Sequence, residues 1–282
     1  MAMQKYGIIG HPIAHSLSPA MQGAAFRALG IDAEYKTYDI EPAQVDGFLH
    51  DAAGKGFAGF NVTVPHKIAA KDYIERFGEL DDNAKRLGAV NTVKIVDGRL
   101  RGYNTDGPGF YRSLIKDLKF EPEGKNIFLL GAGGAARAIA MYLGASPNTL
   151  FVNDIDERKL NDLKAHYAQY YDAKKLVLVK KDQVALALRE SHLLVNATPI
   201  GMHVSDPLPI DGRLLHPGLF VYDLVYNRQS ALVKEATMKK LHASTGLGML
   251  LYQGAIACEV WTGKPAPLAV MRKALKAAIK ER

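Results

Sequence analysis

Over the first hundred residues, short apolar runs alternate with stretches of helical spacing. Tyr6–Ile9, Ala33–Tyr38 and Gly59–Val64 predict strands, with helices at Pro19–Leu29, Gln44–Ala53 and Ile68–Phe77. A strand–helix rhythm of this kind implies a mostly parallel sheet covered on both faces. Asp97-Gly98 lies between Thr92–Val96 and Arg99–Gly102, a hairpin signal that predicts one antiparallel edge. A helix from Gly107 to about Leu118 and a polar stretch, Lys119 to Lys125, close this part of the chain.

The second half has the same rhythm. Strands are predicted at Asn126–Leu130, Thr149–Asn153, Leu176–Val179, Leu193–Asn196 and Leu219–Asp223. Helices fall between them at Gly134–Leu143, Glu157–Tyr171 and Gln183–Arg189. From Gly248 onward the pattern is helical, with Pro265 and Pro267 separating two helices. The fold class is α/β with two domains, the second a Rossmann-like doubly wound nucleotide domain.

The turn at Gly131-Ala132-Gly133-Gly134-Ala135-Ala136 is where the pattern acquires chemistry. Strand, glycine turn and helix together make a dinucleotide-phosphate site, with Gly131 for the tight turn and Gly133 for close approach of a pyrophosphate. Glycine turns between strand and helix are common, so the motif alone is weak. The next strand strengthens it: Asp154 closes that strand 23 residues after Gly131, near where a ribose-binding acid belongs.

Composition narrows the class. One cysteine, Cys258, excludes an internal disulfide and a cysteine zinc site, and points to a reducing compartment. The N-terminus enters a strand with no basic-then-apolar leader, and the long apolar stretch Ile127–Ala145 is broken by glycines and Arg137. A soluble, cytoplasmic protein with no metal is expected. A net charge of +7 and a pI near 9.2 raise nucleic acid as a partner, yet no nucleic-acid-binding motif appears. The basic cluster from Arg272 to Arg282 reads as a solvated helix face, and positive charge suits an anionic substrate and cofactor.

Polar residues gather where the first domain's strands end. After the first strand comes Gly10-His11-Pro12-Ile13-Ala14-His15-Ser16-Leu17-Ser18-Pro19, whose two hydroxyls beside a helix start suit a carboxylate. Ser18 alone is explained as well by a helix cap. After the third strand comes Asn61-Val62-Thr63-Val64-Pro65-His66-Lys67. Lys67 begins a helix, an unusual place for a cation against the dipole and a suitable one for acid–base work. Ala89-Val90-Asn91-Thr92 and Gly102-Tyr103-Asn104-Thr105-Asp106-Gly107 complete four such clusters, though Asp106 also fits a simple N-cap.

These stretches resemble the shikimate dehydrogenase family, including its quinate/shikimate members. The likeness runs in order through Ser16–Ser18, Asn61–Lys67, Gly88–Thr92, Asn104–Asp106 and Gly131–Ala136. It continues through Asn196–Met202, Asp223–Tyr226 and Gly246–Gln253, and so spans nearly the whole chain. The resemblance implies a substrate-binding domain, 1–106 with C-terminal helices 247–282, and an NAD(P)-binding Rossmann domain, 107–246. It implies that Ser16 and Ser18 hold the substrate carboxylate, while Thr63, Asn91, Tyr226 and Gln253 meet ring hydroxyls or carboxylate. Lys67 and Asp106 would flank the reacting hydroxyl. Gly131, Ala132, Gly133, Gly134, Ala135, Asn153, Asp154, Arg158 and Thr198 would serve the cofactor, with Leu224 and Gly246 against the nicotinamide. Shikimate is the implied substrate and quinate the alternative, on a monomer or homodimer without nucleic-acid or membrane partners. A non-catalytic sensor that binds ligand and dinucleotide is the reading from another class; the presence of both Lys67 and Asp106 speaks against it.

The chain departs from the family in three places. Tyr226 is followed by Asn227-Arg228-Gln229-Ser230, without the usual proline and a residue shorter, although Ser230 can still cap the next helix. Gln22 stands where many relatives carry histidine. Most consequentially, NADP-using members typically carry Asn-Arg-Thr after the second nucleotide-domain strand, where this chain reads Asn153-Asp154-Ile155. A carboxylate there favours NAD, with NADP the alternative cofactor; Arg158, one turn on, is the residue that could grip a 2′-phosphate instead. Asp154 also fits a plain helix cap.

Overall fold

Strand β1 (Gln4–Gly10) is buried from Tyr6 onward, as a strand flanked on both sides must be. It pairs in parallel with β2 (Ala33–Asp39) and β3 (Phe57–Val62). The computed structural model describes residues 3–280 and divides into two units. One is built from the chain up to Gly109 and from Leu251 onward, the other from Phe110–Leu250.

The first unit contains a six-stranded sheet in the order β2-β1-β3-β5-β6-β4, with β4 at Glu79–Leu80, β5 at Thr92–Val96 and β6 at Arg99–Tyr103. Only β5 runs against the others, since β4 lies parallel to β6. The expected antiparallel edge is therefore an antiparallel strand inside the sheet. The two-residue edge strand β4 is too short to leave a periodic signal. The reversal matters for the site: Asn61 of β3 pairs with Thr92 of β5, which pairs with Tyr103 of β6. The start of β5 thus lies beside the ends of its neighbours.

One face of this sheet packs Phe48, Leu49, Phe60, Ile74 and Val93 into a core with Ile9. Burying each large side chain of this kind stabilises the fold by roughly 1.5–3 kcal/mol. Phe48 and Leu49 come from α2 (Val45–Asp51) and Ile74 from α3 (Lys67–Phe77). On the other face Tyr6 stacks on Phe26 of α1 (Ser18–Ala28) at 4.7 Å and meets Trp261 at 5.2 Å. Trp261 also donates to the Val93 carbonyl at 2.9 Å. A short α4 (Asp82–Leu87) follows β4, and α5 (Asp106–Ser113) follows β6.

Beyond Ser113 the backbone takes a π-helical turn, Leu114–Leu118, and then enters the second sheet. That sheet is parallel throughout: β12-β11-β10-β7-β8-β9. Its strands are β7 (Asn126–Leu130), β8 (Thr149–Asn153), β9 (Leu176–Leu178), β10 (Leu193–Asn196), β11 (Phe220–Asp223) and β12 (Ala243–Thr245). Strand order reverses beside the first strand of the unit, β7, where open α/β sheets bind ligands. Helices α6 (Gly134–Leu143), α7 (Glu157–Tyr167), α8 (Val184–Arg189) and α9 (Ala231–Met238) connect the strands. The charged helix ends at Tyr167 rather than Tyr171, with Tyr167 and Tyr171 bonded to the Gly144 and Met141 carbonyls.

Two helices finish the chain, α10 (Leu247–Thr262) and α11 (Leu268–Lys280). Helix α11 carries most of the basic C-terminal cluster and packs against α1; the last two residues of that cluster lie outside the described residues. Among the described residues no helix is long and apolar enough to cross a membrane.

Candidate active site

In the first unit the four polar clusters meet at one sheet edge. Lys67, the first residue of α3, reaches the Asp106 Oδ2 at 2.7 Å, and both side chains are largely buried. It is not the solvent-facing lysine its type would suggest. Asp106 Oδ1 accepts from Asn91 Nδ2 at 2.8 Å, and Asn91 Oδ1 accepts from the Thr105 amide at 2.8 Å. Because the backbone N–H can only donate, it fixes which end of the Asn91 amide faces Asp106. The Asp106 carboxylate thus serves the cluster, and Asn104 Oδ1 receives the Asp106 amide at 3.0 Å.

The serine segment lies over the same edge. His11 donates its amide to the Val64 carbonyl at 3.1 Å, and Thr63 donates to Ile9 at 2.9 Å. Gly10 permits this approach: a Cβ there would lie 2.5 Å from Thr63 Cγ2. Ser18 is buried and is the first residue of α1, whose N-cap is Leu17 with no side-chain cap bond. The helix-cap explanation for Ser18 therefore fails, and its amide is received by Ser16 Oγ at 3.2 Å. Gln253, on α10, backs onto Gly109 of α5, where an added Cβ would be 2.6 Å from the Gln253 amide nitrogen. Gln22 is fully buried and donates Nε2 to the Gly254 carbonyl at 2.8 Å, which ties α1 to α10.

Sequence reasoning missed the layer beneath this site. Tyr35 donates to Asn61 Oδ1 at 2.6 Å, and Asn61 Nδ2 donates to Thr92 Oγ1 at 3.0 Å and to the Asn91 carbonyl at 3.1 Å. Desolvation pushes the Tyr35 phenol far above its ordinary pKa, with a Ser18 hydrogen bond opposing. A tyrosine on a strand reads as core, and only the three-dimensional pairing gives it a polar role.

The second unit holds the glycine turn. Gly131 has φ +103°, a conformation that favours glycine, and its amide donates to the Asn153 carbonyl at 2.7 Å. At Gly133 and Gly134 an added Cβ would meet nothing within 4 Å, so the turn and the N-terminus of α6 present an open backbone cradle. That cradle fits a dinucleotide pyrophosphate, with Ala132 and Ala135 completing it. Asp154 stands beside it: its Oδ2 accepts from the Ala132 amide at 2.7 Å and its Oδ1 from the Asp156 amide at 2.9 Å. Asp156, not Asp154, is the N-cap of α7. The Arg158 side chain is 91% exposed and lies 3.6 Å from Asp156. Asn153 Nδ2 donates to the Val179 carbonyl at 2.8 Å.

The loops after β10 and β11 are tied by one buried carboxylate. Asp223 accepts from Asn196 Nδ2 at 2.9 Å, from the Val225 amide at 3.1 Å and from the Ser230 hydroxyl. Burial raises its pKa, and the three donors oppose the rise. Asn196 in turn accepts from the Thr198 hydroxyl at 2.7 Å. Ser230 does cap α9, accepting from Val233, so the loop bearing Leu224 and Tyr226 closes without the proline. Gly246 lies against Leu224, where a Cβ would come within 2.1 Å of the Leu224 carbonyl oxygen. Among the described residues no group of three His, Cys, Asp or Glu is arranged to hold a metal ion.

A doubly wound unit with a glycine cradle and an acid beside it defines the class of dinucleotide-binding α/β proteins. Residues 8–93 match the shikimate dehydrogenase substrate-binding domain, and residues 246–276 match the shikimate 5'-dehydrogenase C-terminal domain. The chain is 42% identical to a shikimate dehydrogenase (NADP(+)) of Methanopyrus kandleri, over 95% of this chain and 93% of that one. The Thermus thermophilus shikimate 5-dehydrogenase, solved with NADP(H) and shikimate, superposes with a TM-score of 0.86 at 35% identity, over 98% and 100% of the chains. The Listeria monocytogenes enzyme, solved with shikimate and NAD, gives 0.87 at 31% identity, over 96% of each chain. The chain belongs to the shikimate dehydrogenase family.

Proposed function

We propose that this chain is a shikimate dehydrogenase that oxidises shikimate to 3-dehydroshikimate reversibly, with NAD preferred. The observation that carries the reading is the Lys67–Asp106 pair, joined at 2.7 Å and oriented by Asn91. Ser16 and Ser18 hold the substrate carboxylate, and Thr63, Asn91, Gln253 and Tyr226 meet the ring hydroxyls or carboxylate. Many donors and acceptors suit a polyhydroxylated ring, because an analogue that leaves one unpaired binds poorly.

Gly131, Ala132, Gly133, Gly134 and Ala135 hold the pyrophosphate, with Thr198 beside them and Asn153 and Asp154 toward the ribose. Leu224 and Gly246 lie against the nicotinamide, which accepts the hydride when bound. As the carbinol carbon loses its hydride, the hydroxyl loses its proton to the Lys67–Asp106 pair. Asp106 fixes Lys67 at the reacting oxygen, where the lysine amine takes the proton and the ammonium so formed stabilises developing negative charge. The reverse reaction returns the proton to the carbonyl oxygen.

The preference for NAD rests on Asp154. Its carboxylate is held beside the cradle by two backbone amides, so it can accept from ribose hydroxyls and opposes a 2′-phosphate. The Methanopyrus relative is named for NADP(+), so this preference sets the chain apart from it. Lys67→Ala and Asp106→Ala test the reading: kcat with shikimate should fall roughly 10²–10⁴-fold, the range for general acid–base groups. A Lys67→Ala enzyme within a few-fold of wild type would return Lys67 to a structural role.

A further inference from the structure

The buried layer under the site is a hydrogen-bond chain with a single direction. Its last links are the Thr92 hydroxyl, 3.1 Å from Asn91 Oδ1, and Asn91 Nδ2, 2.8 Å from Asp106 Oδ1. Working back, Asn61 Nδ2 feeds Thr92 Oγ1 at 3.0 Å, and Tyr35 feeds Asn61 Oδ1 at 2.6 Å. Asn61, Asn91, Thr92 and Thr105 are at most 4% exposed, and Tyr35 is 8% exposed, so water cannot substitute for a missing partner.

Backbone groups along the chain fix the direction of its links. Asn61 Nδ2 must donate, because the Asn91 carbonyl it also faces can only accept. With Asn61 donating, the Thr92 hydroxyl is left to donate to Asn91 Oδ1. That oxygen also receives the Thr105 amide and the Thr105 hydroxyl, at 2.8 and 3.2 Å. The Asn91 NH₂ is thereby turned to the Asp106 carboxylate. The chain starts at Tyr35 on β2, which also meets Ser18 and lies two strands from β3 and three from β5 in the sheet order.

We propose that Tyr35 is a positioning residue for the reaction, acting through Asn61 and Thr92 to hold Asn91 and Asp106 in the orientation that Lys67 requires. The proposal rests on the function assigned above and adds a residue to it that touches neither substrate nor cofactor. Without the phenol, Asn61 Oδ1 is buried with no tyrosine donor, and the amide is held through its Nδ2 alone. The loss reaches Asp106 as a looser carboxylate and therefore falls on kcat, since catalytic geometry tolerates little displacement.

The test is steady-state kinetics of Tyr35→Phe and Thr92→Val with shikimate, in wild-type and Lys67→Ala backgrounds, with melting temperatures alongside. Thr92→Val cuts the same chain two links further on, so the outcome does not depend on one variant folding. Each substitution should lower kcat about tenfold while KM for the dinucleotide stays within about twofold, as one lost buried hydrogen bond would give. In the Lys67→Ala background the same substitutions should lower kcat by less than about twofold, because the group they position is already gone. A folded Tyr35→Phe enzyme with wild-type kcat, or an equal tenfold loss in both backgrounds, overturns the proposal. A wild-type protein inactive on shikimate, or a fully active Lys67→Ala, removes the functional reading itself and this proposal with it. Full Lys67-dependent turnover with an unaffected Tyr35→Phe removes this proposal alone.

Discussion

Replacing Asp154 by arginine should reverse much of the cofactor preference. In the wild type the Asp154 carboxylate stands beside the cradle, fixed by the Ala132 and Asp156 amides at 2.7 and 2.9 Å. A 2′-phosphate placed about 4 Å from it, at an effective dielectric near 20, is repelled by roughly 4 kcal/mol. Screening and rearrangement reduce that figure: a quarter of it leaves about a fivefold preference for NAD, and half leaves about thirtyfold. Arginine at this position removes the repulsion and adds a charge-assisted bond to the phosphate. It also gives up the bond to Ala132, so kcat/KM should fall somewhat with both cofactors while their ratio moves toward NADP. The measurement is kcat/KM for NAD and NADP at saturating shikimate, in wild type, Asp154→Asn and Asp154→Arg. Asp154→Asn, which removes only the charge, should fall between the other two. Arg158→Ala should leave the ratio within about twofold, because that guanidinium is 91% exposed and turned to Asp156. A wild type that prefers NADP, or an unchanged ratio in Asp154→Arg, would refute the reasoning.

Other expectations follow from the same geometry. Ser16→Ala and Ser18→Ala should raise KM for shikimate by roughly 1–3 kcal/mol each in binding, and Ser18→Ala should leave the melting temperature near wild type because Ser18 caps nothing. Gly246→Ala should destabilise the protein by roughly 1–3 kcal/mol in denaturant melts, since its Cβ would lie 2.1 Å from the Leu224 carbonyl oxygen; an unchanged midpoint would show that the loop yields freely. The Tyr6 phenol, pushed up to about 12 chiefly by burial, stays protonated in the folded chain where the unfolded chain ionises from about pH 10. Stability from this group is complete below that pH and is lost as pH rises toward 12, so Tyr6→Phe should flatten the alkaline fall in melting temperature.

The doubly wound unit was legible because parallel strands buried on both faces are short, continuous apolar runs between helical patterns, as at Asn126–Leu130 and Leu193–Asn196. The site residues of the first unit were legible as polar clusters that interrupt such runs. What periodicity could not carry was strand order: the hairpin at Asp97-Gly98 marks two antiparallel strands but not where the pair enters the sheet. Placing β5 between β3 and β6 is what brings Asn91 to Asp106. The edge pieces β4 and β12, of two and three residues, are too short for any period to register. Cap assignments failed for a different reason. Ser18 and Asp154 are good caps by residue type, yet the neighbours Leu17 and Asp156 hold the Ncap positions of α1 and α7. Tyr35 gave no signal, because a strand tyrosine with a buried hydroxyl partner looks like any core aromatic.

The central claim is oxidation of shikimate by a dinucleotide on this scaffold. Initial rates with shikimate and with quinate, each with NAD and with NADP, test it in one experiment on the wild-type protein. Reduction of the nucleotide with shikimate, faster with NAD than with NADP and slower with quinate, is the predicted result. Folded protein that reduces neither nucleotide with either acid, at saturating concentrations of both, would contradict it.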